Sequence, residues 1–339
     1  MALHTFSSQD AVELAVVERS GFIESRHVGS AVLLDPEGVP TAALGATDQP
    51  VFVRSTLKPL QAIASMRAGA ELDGPAAALA TASHRSEQRH IDVVTAMLAS
   101  AGLDESALQC PSVIPADRAT WEARAADGHV RSPLHFNCSG KHAAFLLAAV
   151  AGGHDPRTYL DPTHPVQQEV EAVVRTYTGG PPQAVGTDGC GAPVYALTLR
   201  ALATGISRVA QRMDTEAASL MDAVLEHPWG VEGAGRPNTT VIEELGIFAK
   251  FGAEGVMVMA TPEGWSVAVK CLDGSSRPTT RVALALLGSV GAVDPDAAED
   301  LGRRLTTPVT GGIDDGGEPQ TVGAVCLGEA VTAVQRSRS

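Results

Sequence analysis

Lysine is scarce in this chain. Of 25 lysines and arginines among 339 residues, only four are lysines: Lys58, Lys141, Lys250 and Lys270. Arginine serves wherever a generic surface cation is needed, but it cannot lose its proton in a protein, whereas lysine shifts its pKa readily when buried. A lysine that persists against this bias is a candidate for chemistry that needs a neutral amine. Long apolar runs are missing too. No stretch of eighteen apolar residues lacks a charge or a turn signal, so no transmembrane helix and no membrane partner are expected. The N-terminal ten residues carry no positive segment, and the first apolar run, 11–17, contains Glu13, so no secretory leader is expected. A positive balance is also absent: a net charge of -14 excludes nucleic acid and anionic membrane surfaces as partners. The five cysteines, Cys110, Cys138, Cys190, Cys271 and Cys326, are odd in number and widely spaced, which is not a disulfide framework. Reduced thiols in a cytoplasm, free for metal or catalysis, are the expectation.

What is present suits an ordinary globular protein with a large core, at 44% hydrophobic and 19% charged residues. Residues 11–19, 28–34, 40–45 and 51–53 read as strands, with a hairpin turn at Asp35-Pro36-Glu37-Gly38. From 57 to 109 the pattern turns helical, with one helix at 90–101, and 110–134 looks irregular. Helices are expected at 143–151, 163–177, 194–204, 207–225, 279–289 and 296–305, and strands at 256–260, 265–272 and 321–327. This order predicts an α+β fold. Its antiparallel sheet is built from both chain ends, about 10–55 and 250–330, around a mostly helical middle, about 57–230. No linker rich in proline, glycine or serine divides the chain, so residues 1–339 are expected to form a single catalytic unit.

Four stretches carry candidate chemistry. In Arg54-Ser55-Thr56-Leu57-Lys58-Pro59-Leu60-Gln61, Ser55 and Lys58 fall one helical turn apart. A neutral amine there takes the serine proton and makes a nucleophile, as in the Ser-x-x-Lys arrangement of serine β-lactamases and penicillin-binding proteins. The same spacing suits an N-capping serine with an exposed lysine. Ser83-His84, with Glu87 and His90 beyond, offers a second nucleophile or proton relay, or simply a helix N-terminus capped by Ser83. In Cys138-Ser-Gly-Lys141-His142, a cysteine at a helix start favours the thiolate, the metal-binding form; a small buried cysteine packed at the helix start also fits. In Asp188-Gly-Cys190-Gly191, glycines bring backbone close to whatever binds. Cys138 and Cys190 with nitrogen or oxygen groups suit zinc; a cysteine nucleophile working with His142, or a mere tight turn, are the alternatives. Lys270 lies on the strand 265–272 and shares a face with Ser266, Ala268 and Leu272.

Taken in order, Arg-Ser-x-x-Lys-Pro-x-Gln, Ser-His, His-x-Asn-Cys-Ser-Gly-Lys-His and Asp-Gly-Cys-Gly-x-Pro resemble the asparaginase II family, the rhizobial-type L-asparaginases, from about residue 10 to 330. The resemblance implies a serine β-lactamase-like fold, a homodimer, and hydrolysis of L-asparagine to L-aspartate and ammonia. It places two catalytic Ser–Lys pairs on Ser55 with Lys58 and on Ser83 with Lys270. It places zinc on Cys138, Lys141 and Cys190. Arg54 and Asp188 match positions near the substrate, and His142 and Gly191, inside the same motifs, complete the substrate-contact candidates. One departure is visible: small residues follow the family's Ser-His, where this chain has Arg85 and Ser86. The alternatives are a β-lactamase-like hydrolase of another amide, or a zinc-binding protein without turnover.

Overall fold

The computed structural model describes residues 4–126, 128 and 130–337; Met1 to Leu3, the head of the stretch read for a leader, lie outside the described residues. In chain order the elements are β1 (Val12–Arg19), β2 (Phe22–Leu34), β3 (Pro40–Leu44), β4 (Val51–Phe52), α1 (Lys58–Arg67), α2 (Gly74–Ala80), α3 (Gln88–Ser100), α4 (Arg118–Ala126), α5 (Ser139–Ala151), α6 (Pro165–Thr178), β5 (Ala184–Thr187), β6 (Pro193–Leu197), α7 (Leu199–Ala210), α8 (Thr215–Glu226), α9 (Pro237–Leu245), β7 (Phe248–Gly252), β8 (Val256–Ala260), β9 (Ser266–Cys271), α10 (Thr279–Ser289), α11 (Pro295–Arg304), β10 (Val309–Ile313), β11 (Pro319–Leu327) and α12 (Glu329–Arg336). They group into two units. One takes Met1–Arg54, Leu197–Ser207 and Phe251–Ser339; the other takes Ser55–Ala196 and Arg208–Lys250.

The first unit is a mixed α/β layer built on an antiparallel sheet. Its strands run in the order β10-β11-β1-β2-β9-β8, and β3 also pairs with β2. Both chain ends therefore meet in one sheet. Ala15 of β1 pairs with Leu327 of β11 on one side and with His27 of β2 on the other. Gly29 and Ser30 of β2 pair with Cys271 and Lys270 of β9. Helix α10 packs on β8 and β9, α12 packs on β1, and both α11 and α12 pack on α10. Every residue of β9 is buried, as expected of a strand covered on both faces rather than half exposed. Lys270 is thus drawn into the layer instead of standing on a solvent face.

The second unit is helical, with α5 at its centre. Helices α1, α2, α3 and α6 all pack against α5. Residues Ser139 to Ala149 of α5 are all buried, which is the signature of a helix inside a core. Gly140 makes this possible on one side: a Cβ there would stand 2.4 Å from the Leu79 carbonyl oxygen of α2. Strands β5 and β6 form a hairpin, with Thr187 opposite Pro193 at its end.

Several boundaries differ from the sequence expectations. The helix expected at 194–204 begins as strand β6, and helix α7 starts at Leu199. Pro193 is tolerated at a helix start as well as at a strand end, so it did not discriminate; pairing with β5 decides the matter. The region 110–134 contains α4, and α9, β7, β10 and α12 were not anticipated. Among the described residues, no helix is long and apolar enough to cross a membrane.

Candidate active site

The chain turns sharply before Ser55. Arg54 has φ of 50°, in the left-handed region, and Arg54–Leu57 forms a 3-10 turn that runs into α1. Lys58 opens α1 directly after this turn, three residues on from Ser55. Pro59 follows in the first turn of α1, where an amide hydrogen has no helical partner to lose. Ser55 is partly exposed, whereas Lys58 is 1% exposed.

The buried amine of Lys58 donates to the Ala82 carbonyl oxygen and, at 3.1 Å, to the Ser83 hydroxyl oxygen. A second amine meets the same hydroxyl: Lys250 Nζ lies 2.9 Å from Ser83 Oγ. Ser83 is 3% and Lys250 0% exposed. Burial is the main force holding the Lys250 pKa well below the usual lysine range; repulsion from Lys58 adds to it, and Glu232 and Cys138 pull the other way. Ser83 does not cap α3. Glu87 is the N-cap there, and the His90 ring accepts from the Glu87 backbone in return. His84, in contrast, is structural. Its Nδ1 accepts from Ser86 N, so the neutral ring carries its proton on Nε2, 2.8 Å from Ser139 Oγ. Burial pushes the His84 pKa well down. At the departure from the family pattern, Arg85 donates to the Ala116 carbonyl and Ser86 to the His135 carbonyl.

A thiol cluster stands in the same unit. Cys138 is the N-cap residue of α5, Lys141 lies one turn on, and the loop between β5 and β6 carries Cys190. Lys141 Nζ donates to Cys190 Sγ at 3.1 Å. A hydrogen bond from the Cys190 thiol is the largest cause holding the Cys138 pKa well below its usual value, and Lys58 and Lys141 add to it against burial. Cys190 keeps the proton: its hydrogen bond to Cys138 and its burial both raise its pKa. Burial works against charge on Lys141, but Cys190 and Cys138 outweigh it, and the Lys141 pKa lies above normal. Two soft sulfurs and an amine, all buried, fit the donor preferences of zinc. Among the described residues, no group of three His, Cys, Asp or Glu side chains is suited to a metal, so a zinc site here depends on Lys141 as a ligand.

His142 is fully buried, its Nδ1 2.6 Å from the Tyr159 hydroxyl, while its Nε2 has no hydrogen-bond partner. Asp188 Oδ1 accepts from Gly189 N at 2.8 Å, and Gly191, with φ of 87°, closes the same loop against Leu160.

The first unit holds the remaining candidates. Lys270 Nζ donates to the Glu254 carbonyl oxygen, and Arg54 Nη1 lies 4.0 Å from Glu254 Oε1. The sequence reading paired Ser83 with Lys270; in the structure the amines on Ser83 are Lys58 and Lys250. Lys250 was visible as one of four lysines, but the short strand that carries it was not recognised. Lysine scarcity alone was the signal that could have found it.

A buried serine hydroxyl between two amines, one of them held towards neutrality, is an arrangement that can relay protons. Comparison with known families gives the particular group. The family model described as L-asparaginase II matches residues 15–321, and the chain belongs to that family. No curated protein matches the chain. Among solved structures, Mglu in its native form is 14% identical with a TM-score of 0.44; the match covers 78% of this chain and spans 65% of the Mglu chain. A β-lactamase from Mycobacterium bovis is 17% identical with a TM-score of 0.41, over 73% of this chain and 88% of that one.

Proposed function

We propose that the protein is an L-asparagine amidohydrolase that releases L-aspartate and ammonia, with its site laid out as in serine β-lactamases. The observation that carries the reading is the Ser83 hydroxyl held at 3.1 Å and 2.9 Å by the Lys58 and Lys250 amines. Ser55 is the nucleophile, because it is the more exposed serine and a nucleophile must touch substrate. Lys58 donates to Ala82 O and Ser83 Oγ; Ser83 passes one of its protons on to the Lys250 amine, and the lone pair freed on Lys58 takes the Ser55 proton. Ser55 Oγ bonds to the side-chain amide carbon, and Lys58 returns the proton to the leaving nitrogen. Ammonia departs and leaves an aspartyl ester on Ser55. Water, losing its proton to Lys58, hydrolyses the ester. Ser83 links Lys58 to Lys250, so charge gained at one amine is shared with the other by proton shift. Lys250 takes the part that the sequence reading gave to Lys270.

Cys138, Lys141 and Cys190 would hold zinc, with Asp188 and Gly191 on the loop beside Cys190. When bound, the metal supplies a positive centre that neutralises the thiolates and orients the substrate.

Ammonia release from L-asparagine tests the reading. Wild type is expected to turn over, and Ser55→Ala to lose the activity by about a thousandfold or more. Chelation is expected to raise KM more than it lowers kcat. Wild type inert on L-asparagine, or a fully active Ser55→Ala, overturns the assignment.

A further inference from the structure

The pair formed by Arg54 and Glu254 is not explained by folding alone. Five described residues other than glycine have a left-handed backbone: Ser20, Arg54, Ser86, Arg212 and Glu254. Two of these five face each other in one ion contact, Arg54 Nη1 to Glu254 Oε1 at 4.0 Å. Glu254 precedes Gly255 in the turn between β7 and β8, with φ of 61° and 67° for the two residues. Glycine, asparagine or aspartate suits the first of these positions far better than glutamate. Disfavoured backbone that persists without a local gain marks a functional constraint.

The surroundings hold this glutamate in place. Lys270 donates to its carbonyl oxygen. Gly274, with φ of 79°, passes close beside the carboxylate, with Glu254 Oε2 2.8 Å from where a Cβ would stand. The side chain itself stays accessible, at 66% exposure, while Arg54 is 24% exposed. A separation of 4.0 Å is the outer limit of an ion pair, so the two charges stand side by side without closing on each other. Opposite charges side by side match one kind of ligand, a free amino acid, whose α-carbon bears an ammonium and a carboxylate.

We propose that Glu254 is a specificity residue, binding the substrate's α-ammonium group while Arg54, whose guanidinium fork fits carboxylates, binds the α-carboxylate. This rests on the amidohydrolase reading above. Arg54 directly precedes the proposed nucleophile Ser55 in the chain. Lys270 is then a positioning residue, acting through the Glu254 turn.

Competitive inhibition of L-asparagine turnover by L-aspartate and by succinate, which lacks the ammonium group, tests the proposal. Glu254→Gln is expected to raise the L-aspartate inhibition constant and the KM for L-asparagine by about fivefold, the scale of one exposed charge contact. The succinate constant, kcat and Tm should stay within about twofold or unchanged. Glu254→Gly, which relaxes the turn, should show the same selective loss with an equal or higher Tm. An equal change for both inhibitors, or no change for either, overturns the role of Glu254 while the amidohydrolase reading stands. A wild type inert on L-asparagine overturns both.

Discussion

Lys250 is a lysine kept from being a cation. Its folded pKa lies below the reference value of 10.5 because burial penalises the charge and Lys58 repels it. The sign of the consequence follows. Below about pH 10.5 the unfolded chain binds a proton that the folded chain does not, so stability falls as pH falls, until the folded pKa is reached. Lys250→Met should therefore flatten the dependence of unfolding free energy on pH in the range just below about 10.5, by up to one proton's worth of slope. Urea denaturation at several pH values measures it; an unchanged slope would mean that the amine is charged in the folded protein. The same residue shows where the sequence was readable. Scarcity pointed to every lysine, and spacing placed Ser55 near Lys58 and Lys141 near Cys138. Spacing says nothing of a contact between Ser83 and a lysine far along the chain, and Lys270, on the more clearly patterned strand, was chosen in place of Lys250.

At the scale of the element, α5 combines two requirements. It offers Cys138 and Lys141 to the thiol cluster, and it is buried along almost its full length. Gly140 sits between those two residues in the first turn, against the Leu79 carbonyl. In an exposed helix, glycine to alanine stabilises by about 1 kcal/mol. Here the added methyl meets backbone, and Gly140→Ala should destabilise by about 1–3 kcal/mol, as overpacked cores do. Chemical denaturation decides the sign; a stabilised variant would show that α2 and α5 can move apart freely. The helix was legible because its apolar run is long. Strand β6 was not, because Pro193-Val-Tyr-Ala-Leu197 has no periodicity of its own and becomes a strand only by pairing with β5. Short β7 and β10 escaped for the same reason.

At the scale of the molecule, the α+β order and the sheet drawn from both ends were legible, because alternating segments cluster at the two ends of the sequence. The partition into two units was not. Its boundaries fall inside the Arg54–Leu57 turn, β6, α7 and β7, where no linker composition marks them. The outer edge of β1 is covered by β11, which is in turn covered by β10. A chain ending after residue 307 keeps β1 and β2 but leaves that edge unpaired, a template for aggregation. Such a truncation is expected to pellet on expression while the full chain stays in solution, as sedimentation of the lysate would show.

The pairing of Ala15 with Leu327 has a consequence for biosynthesis. A ribosome adds about 5–20 residues per second, so β1 leaves the exit tunnel on the order of tens of seconds before its partner exists. Ser55–Ala196 and Arg208–Lys250 are all translated while β8 to β11 are still unmade. The helical unit can mature on the nascent chain, whereas the sheet must wait for β8 to β11. The earliest-made strands are thus the last to be secured, and premature release forfeits the sheet however much of the helical unit has formed.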